Sequence, residues 1–195
     1  MKSIKKTIYN EITINKSKFI TYIYNVDDEE QVKEILKNIK IEYKDATHYC
    51  YSYIIDNVKR FNDDGEPSGT AGVPILNVLE NNNLNHVLAI VVRYFGGIKL
   101  GAGGLVRAYS KSISESLLKG EICNLKKGIN ILVRFSYENL KLVDNVLKDI
   151  SIEKKDFQEE ITYSLNIDFE QLKYISEKLK DIILIEKKES VFIKE

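Results

Sequence analysis

Two short segments hold most of the residues in this sequence that could take part in chemistry. The first, RFNDDGEPSGTAGVP (60–74), places Asp63, Asp64 and Glu66 within four residues. Carboxylates this close together suit Mg²⁺ or Ca²⁺, but the string is also typical of turns in which Asp accepts backbone hydrogen bonds and Gly takes a positive φ. We favour a recognition loop whose carboxylates pair with arginines, and we expect no metal and no cofactor. The candidate residues of this loop and its neighbouring strand are His48, Cys50, Asp63, Asp64, Glu66, Ser68 and Thr70.

The second segment, RYFGGIKLGAGGLVRAY (93–109), follows the apolar run Val87–Val92 and is predicted to open a helix. Backbone N–H groups and the helix dipole receive anions at such a junction. The string lacks the Lys-Ser/Thr ending of a Walker A loop and the last glycine of a dinucleotide fingerprint. Close packing of strand on helix explains the glycines equally well. The candidate anion or nucleic-acid contacts are Arg93, Tyr94, Gly96, Gly97, Lys99, Gly101, Gly103, Gly104 and Arg107.

A predicted strand at 48–55 carries His48 and Cys50 on one face. A cysteine nucleophile needs a hydrogen-bonded base and a third orienting group, and zinc needs a further pair of ligands. The remaining His86 and Cys123 complete neither set, so we expect both residues to pack, with a hydrogen bond to the histidine. The other face carries Tyr49, Tyr51 and Tyr53. These rings are expected to pack against a helix rather than to stack on bases.

Composition narrows the classes of function. The 195 residues are 44% hydrophobic, and 29 basic residues balance 29 acidic ones. This balance excludes a nucleic-acid binder that relies on net charge, and we expect no DNA partner. Apolar runs are too short to span a bilayer and the N-terminus lacks a signal-peptide core, so no membrane association is expected. With only two cysteines, a cytoplasmic protein with reduced thiols is predicted.

Hydrophobic periodicity predicts an α+β fold. A hairpin is expected over 7–24 with its turn at Lys16–Ser17, and a helix after the acidic residues 27–30. The predicted elements that follow are a strand at 48–55, a loop at 61–72, a helix at 74–79, a strand at 87–92 and a helix after the second glycine-rich segment.

The C-terminal part shows a different order of elements. After a break at 119–128, the pattern reads strand (129–135), helix (138–150), strand near Ile152, strand (161–167), helix (169–180) and strand (182–193). This is the βαββαβ order of ferredoxin-like domains. We therefore predict two domains, 1–125 and 126–195.

Three strings, DATHYCYSYII, RFNDDGEPSGTAGVPIL and VVRYFGGIKLGAGGLVRAYS, closely resemble the IMPACT/YigZ family over about residues 15–120. The resemblance implies an N-terminal β-α-β domain of the ribosomal-protein/elongation-factor type, an arrangement also used by GHMP kinases. The C-terminal part is similar in layout to the bacterial branch of the family. In that branch the second domain is ferredoxin-like and similar to a late domain of elongation factor G.

The resemblance also implies a role around translation, because eukaryotic relatives regulate translation by binding the activator of an eIF2-type kinase. They do so largely through an RWD domain that this sequence does not contain, so that pathway is not carried over. We expect a non-enzymatic translation-associated regulator that binds RNA, the ribosome or a translation factor through the glycine- and arginine-containing loops. One alternative is a phosphate-ligand or nucleotide-dependent enzyme that uses Asp63, Asp64 and Glu66. The other alternative is a protein-interaction adaptor in which the DDGEPSGTAG loop (63–72) contacts a partner protein.

Overall fold

A computed structural model describes residues 1–194 and confirms the predicted α+β class. The chain divides into two compact units, residues 1–124 and 125–195. The elements of the first unit are β1 (Lys2–Ile4), β2 (Ile8–Ile14), β3 (Ser17–Asn25), α1 (Glu29–Glu42), β4 (His48–Ile55), β5 (Val58–Asn62), α2 (Gly72–Asn81), β6 (Val87–Tyr94), α3 (Gly101–Leu117) and the start of β7 (Ile122–Phe135).

The first unit is built on an antiparallel sheet in the order β2-β3-β6-β4-β5. Helix α1 covers one face, and α2 and α3 cover the other. Strand β6 lies in the middle, where Leu88, Ile90 and Val92 pack toward α1 and the alternate residues pack toward α2 and α3. Burial of both faces explains why this strand reads as a continuous apolar run. In addition, β1 pairs with the first three residues of β7.

The structure corrects details of the predicted elements in this unit. The hairpin turn is at Asn15 and Lys16, which both have positive φ, and Ser17 already belongs to β3. Hydrophobic alternation does not predict strand β5, because all five of its residues are exposed and show no apolar alternation. The acidic run before α1 caps this helix, since the Asp28 carboxylate accepts hydrogen bonds from the backbone N–H groups of two residues in the first helical turn.

The second unit has the predicted βαββαβ order. Its elements are the remainder of β7, a short 3₁₀ helix (Tyr137–Asn139), α4 (Leu140–Val146), β8 (Ile152–Phe157), β9 (Ile161–Ile167), α5 (Phe169–Lys178) and β10 (Leu184–Lys194). The strands form an antiparallel sheet in the order β8-β9-β7-β10, which is the ferredoxin-like arrangement. Apolar residues of alternate strand positions and of both helices form its core.

Two predictions for this part of the chain need correction. The segment 119–128, predicted as a break, contains the beginning of the 14-residue strand β7. Helix α4 ends at Val146, which is shorter than the predicted range of 138–150. Within the described residues 1–194, no helix is both long and apolar enough to cross a membrane.

Candidate functional site

Asp63 fixes the first candidate loop to the start of α2. Its Oδ1 accepts hydrogen bonds from the backbone N–H groups of Ala71 (3.0 Å) and Gly72 (2.8 Å), and its Oδ2 accepts one from Gly69 (2.9 Å). Helix α2 begins at Gly72, and the residue before it provides no side-chain cap. The Asp63 carboxylate therefore caps α2 from nine residues upstream, and a negative charge is favourable there.

Asp64 fastens the same loop to β4. Its Oδ2 accepts a hydrogen bond from the backbone N–H of Tyr49 at 2.7 Å. Its backbone carbonyl oxygen lies 2.8 Å from Nδ1 of His48. A carbonyl can only accept, so Nδ1 of His48 carries the hydrogen and donates. The histidine thus has the hydrogen-bonded packing role that the sequence predicts.

Glu66 enters the interior from the same loop. Its Oε1 accepts hydrogen bonds from Nη1 of Arg93 at 2.5 Å and from the hydroxyl of Tyr109 at 2.7 Å. Both charged side chains are almost completely buried, with exposed fractions of 3% for Glu66 and 5% for Arg93. The pairing of a loop carboxylate with an arginine is therefore present, but it lies inside the unit and not on its surface.

The guanidinium of Arg93 has further neighbours in the interior. Its Nη2 donates to Oγ of Ser17 at 3.3 Å. Its central carbon lies 5.4 Å from the ring centroid of Phe19 and 5.6 Å from that of Phe95. Because these groups enclose the guanidinium, Arg93 has no exposed surface for contact with a nucleic acid. It stabilises the loop from the interior of the unit.

Cys50 is a buried thiol in the same network. Its Sγ donates toward the backbone oxygen of Asp63 at 3.0 Å and lies 3.2 Å from the Tyr109 hydroxyl. Burial raises the pKa of Cys50 to about 12, and burial also raises the pKa of Tyr109. A thiol that keeps its proton is a poor nucleophile, and His48 bonds to Asp64 rather than to Cys50. This geometry does not form a cysteine–histidine catalytic pair.

The three carboxylates of the loop do not converge. Asp63 binds backbone N–H groups, Asp64 binds β4, and Glu66 binds Arg93 and Tyr109. In the part of the chain that the structure describes, no group of three His, Cys, Asp or Glu side chains is placed to hold a metal ion. Of the other predicted loop residues, Ser68 is exposed and the Thr70 hydroxyl donates to the Pro67 carbonyl at 2.6 Å.

The glycines of the second segment have different roles. A Cβ on Gly96 would lie 2.0 Å from the backbone carbon of Lys16, so this position requires glycine for close packing of the two turns. At Gly97 and Gly101, which have φ of 83° and 69°, an added Cβ would meet nothing within 4 Å. The backbone there is open to solvent. Gly96 is therefore needed for close packing, but against the turn between β2 and β3 rather than between a strand and a helix, while the other two glycines leave the backbone accessible.

We define the glycine-loop surface as the exposed residues Phe95, Lys99, Gly101, Gly103 and Arg107. It includes the N-terminus of the 17-residue helix α3, which has neither a side-chain cap nor an acidic residue in its first turn. From Phe95 to Ser114 the sequence contains Lys99, Arg107 and Lys111 and no acidic residue. This surface is therefore locally basic in a protein with no net charge.

The remaining candidate residues lie away from this surface or beneath it. Tyr94 packs with the apolar cluster on the α1 side of the sheet, and Gly104 is half-buried.

Sequence reasoning missed the roles of two residues. Nothing in the sequence indicates that the Tyr109 hydroxyl donates to Glu66, or that Ser17, predicted in the hairpin turn, accepts from Arg93. The burial of Arg93 and Glu66 could not be inferred either, because charged residues are usually exposed.

Comparison with known proteins places this fold and site in one family. Residues 15–117 match the model of the Impact N-terminal domain. The IMPACT family member YvyE of Bacillus subtilis is 42% identical over 179 residues, which are 90% of this chain and 80% of that protein. An IMPACT family member of Haemophilus influenzae is 35% identical over 188 residues, covering 91% and 89% of the two chains.

A solved structure also matches over nearly the full length. A crystal structure of a hypothetical protein covers 96% of this chain and 97% of its own, with a TM-score of 0.69 and 28% identity. Together, the α+β fold and the two loop segments define an IMPACT-type protein. The chain belongs to the IMPACT family, which confirms the resemblance seen in the three sequence strings.

Proposed function

We propose that this protein is a non-enzymatic regulator associated with translation that binds RNA, in free form or in the ribosome, through the glycine-loop surface. The observation that carries the proposal is the uncapped N-terminus of α3, flanked by exposed Lys99 and Arg107 with no acidic residue between Phe95 and Ser114. The expected likeness of residues 126–195 to a late domain of elongation factor G belongs to the same proposal.

The physical basis is attraction of phosphate. A helix N-terminus presents unpaired N–H groups and the positive end of the helix dipole, and both favour an anion. Gly97 and Gly101 leave the backbone uncovered, so an anion can approach closely. Lys99 and Arg107 add full positive charges beside it. Phosphate contacts of this kind give affinity without requiring a basic protein overall.

The choice of a translation-related partner rests on family membership, because the resemblance to the IMPACT family implies a role in the regulation of translation. The choice of binding over catalysis rests on geometry. His48, Cys50 and Glu66 have the side chains best suited to catalysis. All three are engaged in hydrogen bonds or ion pairs that hold the loop. A catalytic group would need to remain available to a substrate.

The proposal is tested by co-sedimentation with ribosomes and by binding to labelled RNA. The informative variant is Lys99→Ala/Arg107→Ala, and the matched control is Lys33→Ala/Lys37→Ala. The control removes the same charge from exposed positions of α1, on the opposite face of the sheet. We expect the first variant to lose binding and the second to retain it. Equal binding by both variants, or no binding by the wild type, contradicts the proposal.

An adaptor function is favoured by one observation, the partial exposure of Ile98 (43%) and Val106 (38%) beside the glycine-loop surface. Exposed apolar side chains of this kind occur in protein interfaces. Nuclease treatment separates the two functions. A partner that stays bound to the wild-type protein after digestion of RNA supports the adaptor, whereas loss of the bound material supports RNA binding.

A further inference from the structure

Phe95 is an exposed aromatic residue at the edge of the glycine-loop surface. The residue is 45% exposed, directly after the end of β6. Its backbone N–H donates to Oγ1 of Thr47 at 3.0 Å, and the guanidinium of Arg93 lies over the ring at 5.6 Å. The ring therefore contacts a buried, ion-paired arginine, while nearly half of the residue remains exposed to solvent.

The position of Phe95 next to basic groups is the second part of the observation. Lys99 lies four residues further along, in the loop that leads from β6 to the N-terminus of α3. Lys16, whose backbone contacts Gly96, provides another exposed cation at this corner. A flat apolar ring beside several cations offers both elements that single-stranded nucleic acid uses. Bases stack on the ring, and phosphates contact the cations.

We propose that the glycine-loop surface selects single-stranded over double-stranded RNA, with one unpaired base stacked on Phe95. The proposal rests on the proposed function, because it assigns the form of RNA that the same surface binds. In a duplex both faces of each interior base are occupied by its neighbours, so an interior paired base cannot stack on the ring. The phosphates of a duplex still reach Lys99 and Arg107, and duplex binding is therefore expected to be weaker but present.

The test compares a short unstructured RNA with the same strand annealed to its complement. Phe95→Leu removes the ring and keeps an apolar side chain, and Phe95→Tyr preserves the ring. We expect Phe95→Leu to weaken binding of the single strand by about fivefold or more, without changing the salt dependence or the affinity for the duplex. Phe95→Tyr should bind like the wild type. Phe61→Leu is the matched control, because Phe61 is 50% exposed on β5, two strands away from β6.

A direct reading of stacking is available because the chain has no tryptophan. Phe95→Trp introduces the chain's one tryptophan at the proposed contact, and its emission can be excited selectively over that of the tyrosines. We expect its fluorescence to be quenched by the single-stranded RNA and to change little with the duplex. Phe61→Trp should be quenched by neither.

The outcomes separate this proposal from the proposed function. If Phe95→Leu binds the single strand like the wild type while Lys99→Ala/Arg107→Ala loses binding, stacking is wrong and the phosphate contact remains. Equal affinity of the wild type for the two forms of RNA also overturns the single-strand preference alone. If the wild type binds neither form, both proposals fail.

Discussion

Glu66 and Arg93 are 27 residues apart in the sequence, yet their side chains form a buried ion pair with 2.5 Å between Oε1 and Nη1. Glu66 comes from the acidic loop and Arg93 from the strand that leads into the glycine-rich loop. The two segments that are most distinctive in sequence are therefore joined through the Glu66 carboxylate, which also accepts a hydrogen bond from the Tyr109 hydroxyl. The acidic loop supports the other segment instead of forming a separate site.

The ion pair predicts a large loss of stability in Glu66→Ala. The substitution leaves the guanidinium of Arg93 buried without its carboxylate, which typically costs about 3–5 kcal/mol. Glu115→Ala is the control, since Glu115 forms a partly exposed pair with Lys111 on α3. That pair is expected to contribute less than about 1 kcal/mol. Urea unfolding measures both values, and similar losses for the two variants would refute a special role for Glu66.

The environment of Cys50 predicts an unreactive thiol in the folded protein. Because burial raises the pKa of Cys50 to about 12, its reactive thiolate is scarce at neutral and mildly alkaline pH. In a Cys123→Ser background, a thiol reagent should label Cys50 only after the protein is unfolded. Rapid labelling of the native protein would show that the thiol is accessible and ionised, contrary to this structure.

The same shift predicts how alkaline pH affects stability. In the unfolded chain the Cys50 thiol loses its proton at about pH 8.5. In the folded protein burial raises the pKa of this thiol to about 12. The unfolded state therefore binds fewer protons in this interval, so the free energy of unfolding falls as the pH rises through it. Replacement of Cys50 by Ala should reduce this pH dependence, as measured by urea unfolding at several pH values.

Two glycines of the second segment should respond to alanine in opposite ways. Gly96→Ala places a Cβ against the backbone of Lys16 at 2.0 Å, and the turn must move, so we expect a clear loss of stability. Gly103 lies in α3, where an added Cβ meets only the flexible end of Arg107 at 3.6 Å. Gly103→Ala should stabilise the helix by about 0.5–1 kcal/mol. Thermal unfolding ranks the two variants, and a stable Gly96→Ala protein would contradict the close approach.

Asp63 should contribute to stability through the backbone of its own loop. Asp63→Ala leaves the N–H groups of Gly69, Ala71 and Gly72 without their acceptor, and we expect a loss of about 1–3 kcal/mol. Ser68→Ala in the same loop changes an exposed side chain and should alter stability by less than about 0.5 kcal/mol. Chemical unfolding of both proteins provides the comparison. No difference between them would mean that the Asp63 carboxylate does not hold the loop.

Much of the fold is accessible from sequence, because most of its elements have a regular hydrophobic pattern. The apolar stripe of α1, the run at Val87–Val92 and the βαββαβ order follow from periodicity alone. Strand β5 is not accessible in this way, since an exposed edge strand has no apolar alternation. The beginning of β7 was also missed, because a polar and glycine-containing segment resembles a linker.

The candidate site was only partly accessible. Sequence identifies the two loops, since glycine, proline and arginine are rare in the rest of the chain. It does not distinguish a surface charge from a buried one, because that difference depends on contacts between distant residues. Arg93 and Arg107 look equivalent in sequence, yet one is ion-paired in the interior and the other is exposed.

The salt dependence of RNA binding tests the central claim most directly. For a single-stranded RNA, each lost phosphate contact lowers the slope of log affinity against log salt by about 0.7. The account predicts that Lys99→Ala/Arg107→Ala binds more weakly and with a slope reduced by about 1.4, while Lys33→Ala/Lys37→Ala keeps the wild-type slope. If the wild type binds RNA and both double variants retain its affinity and slope, the glycine-loop surface is not the RNA contact.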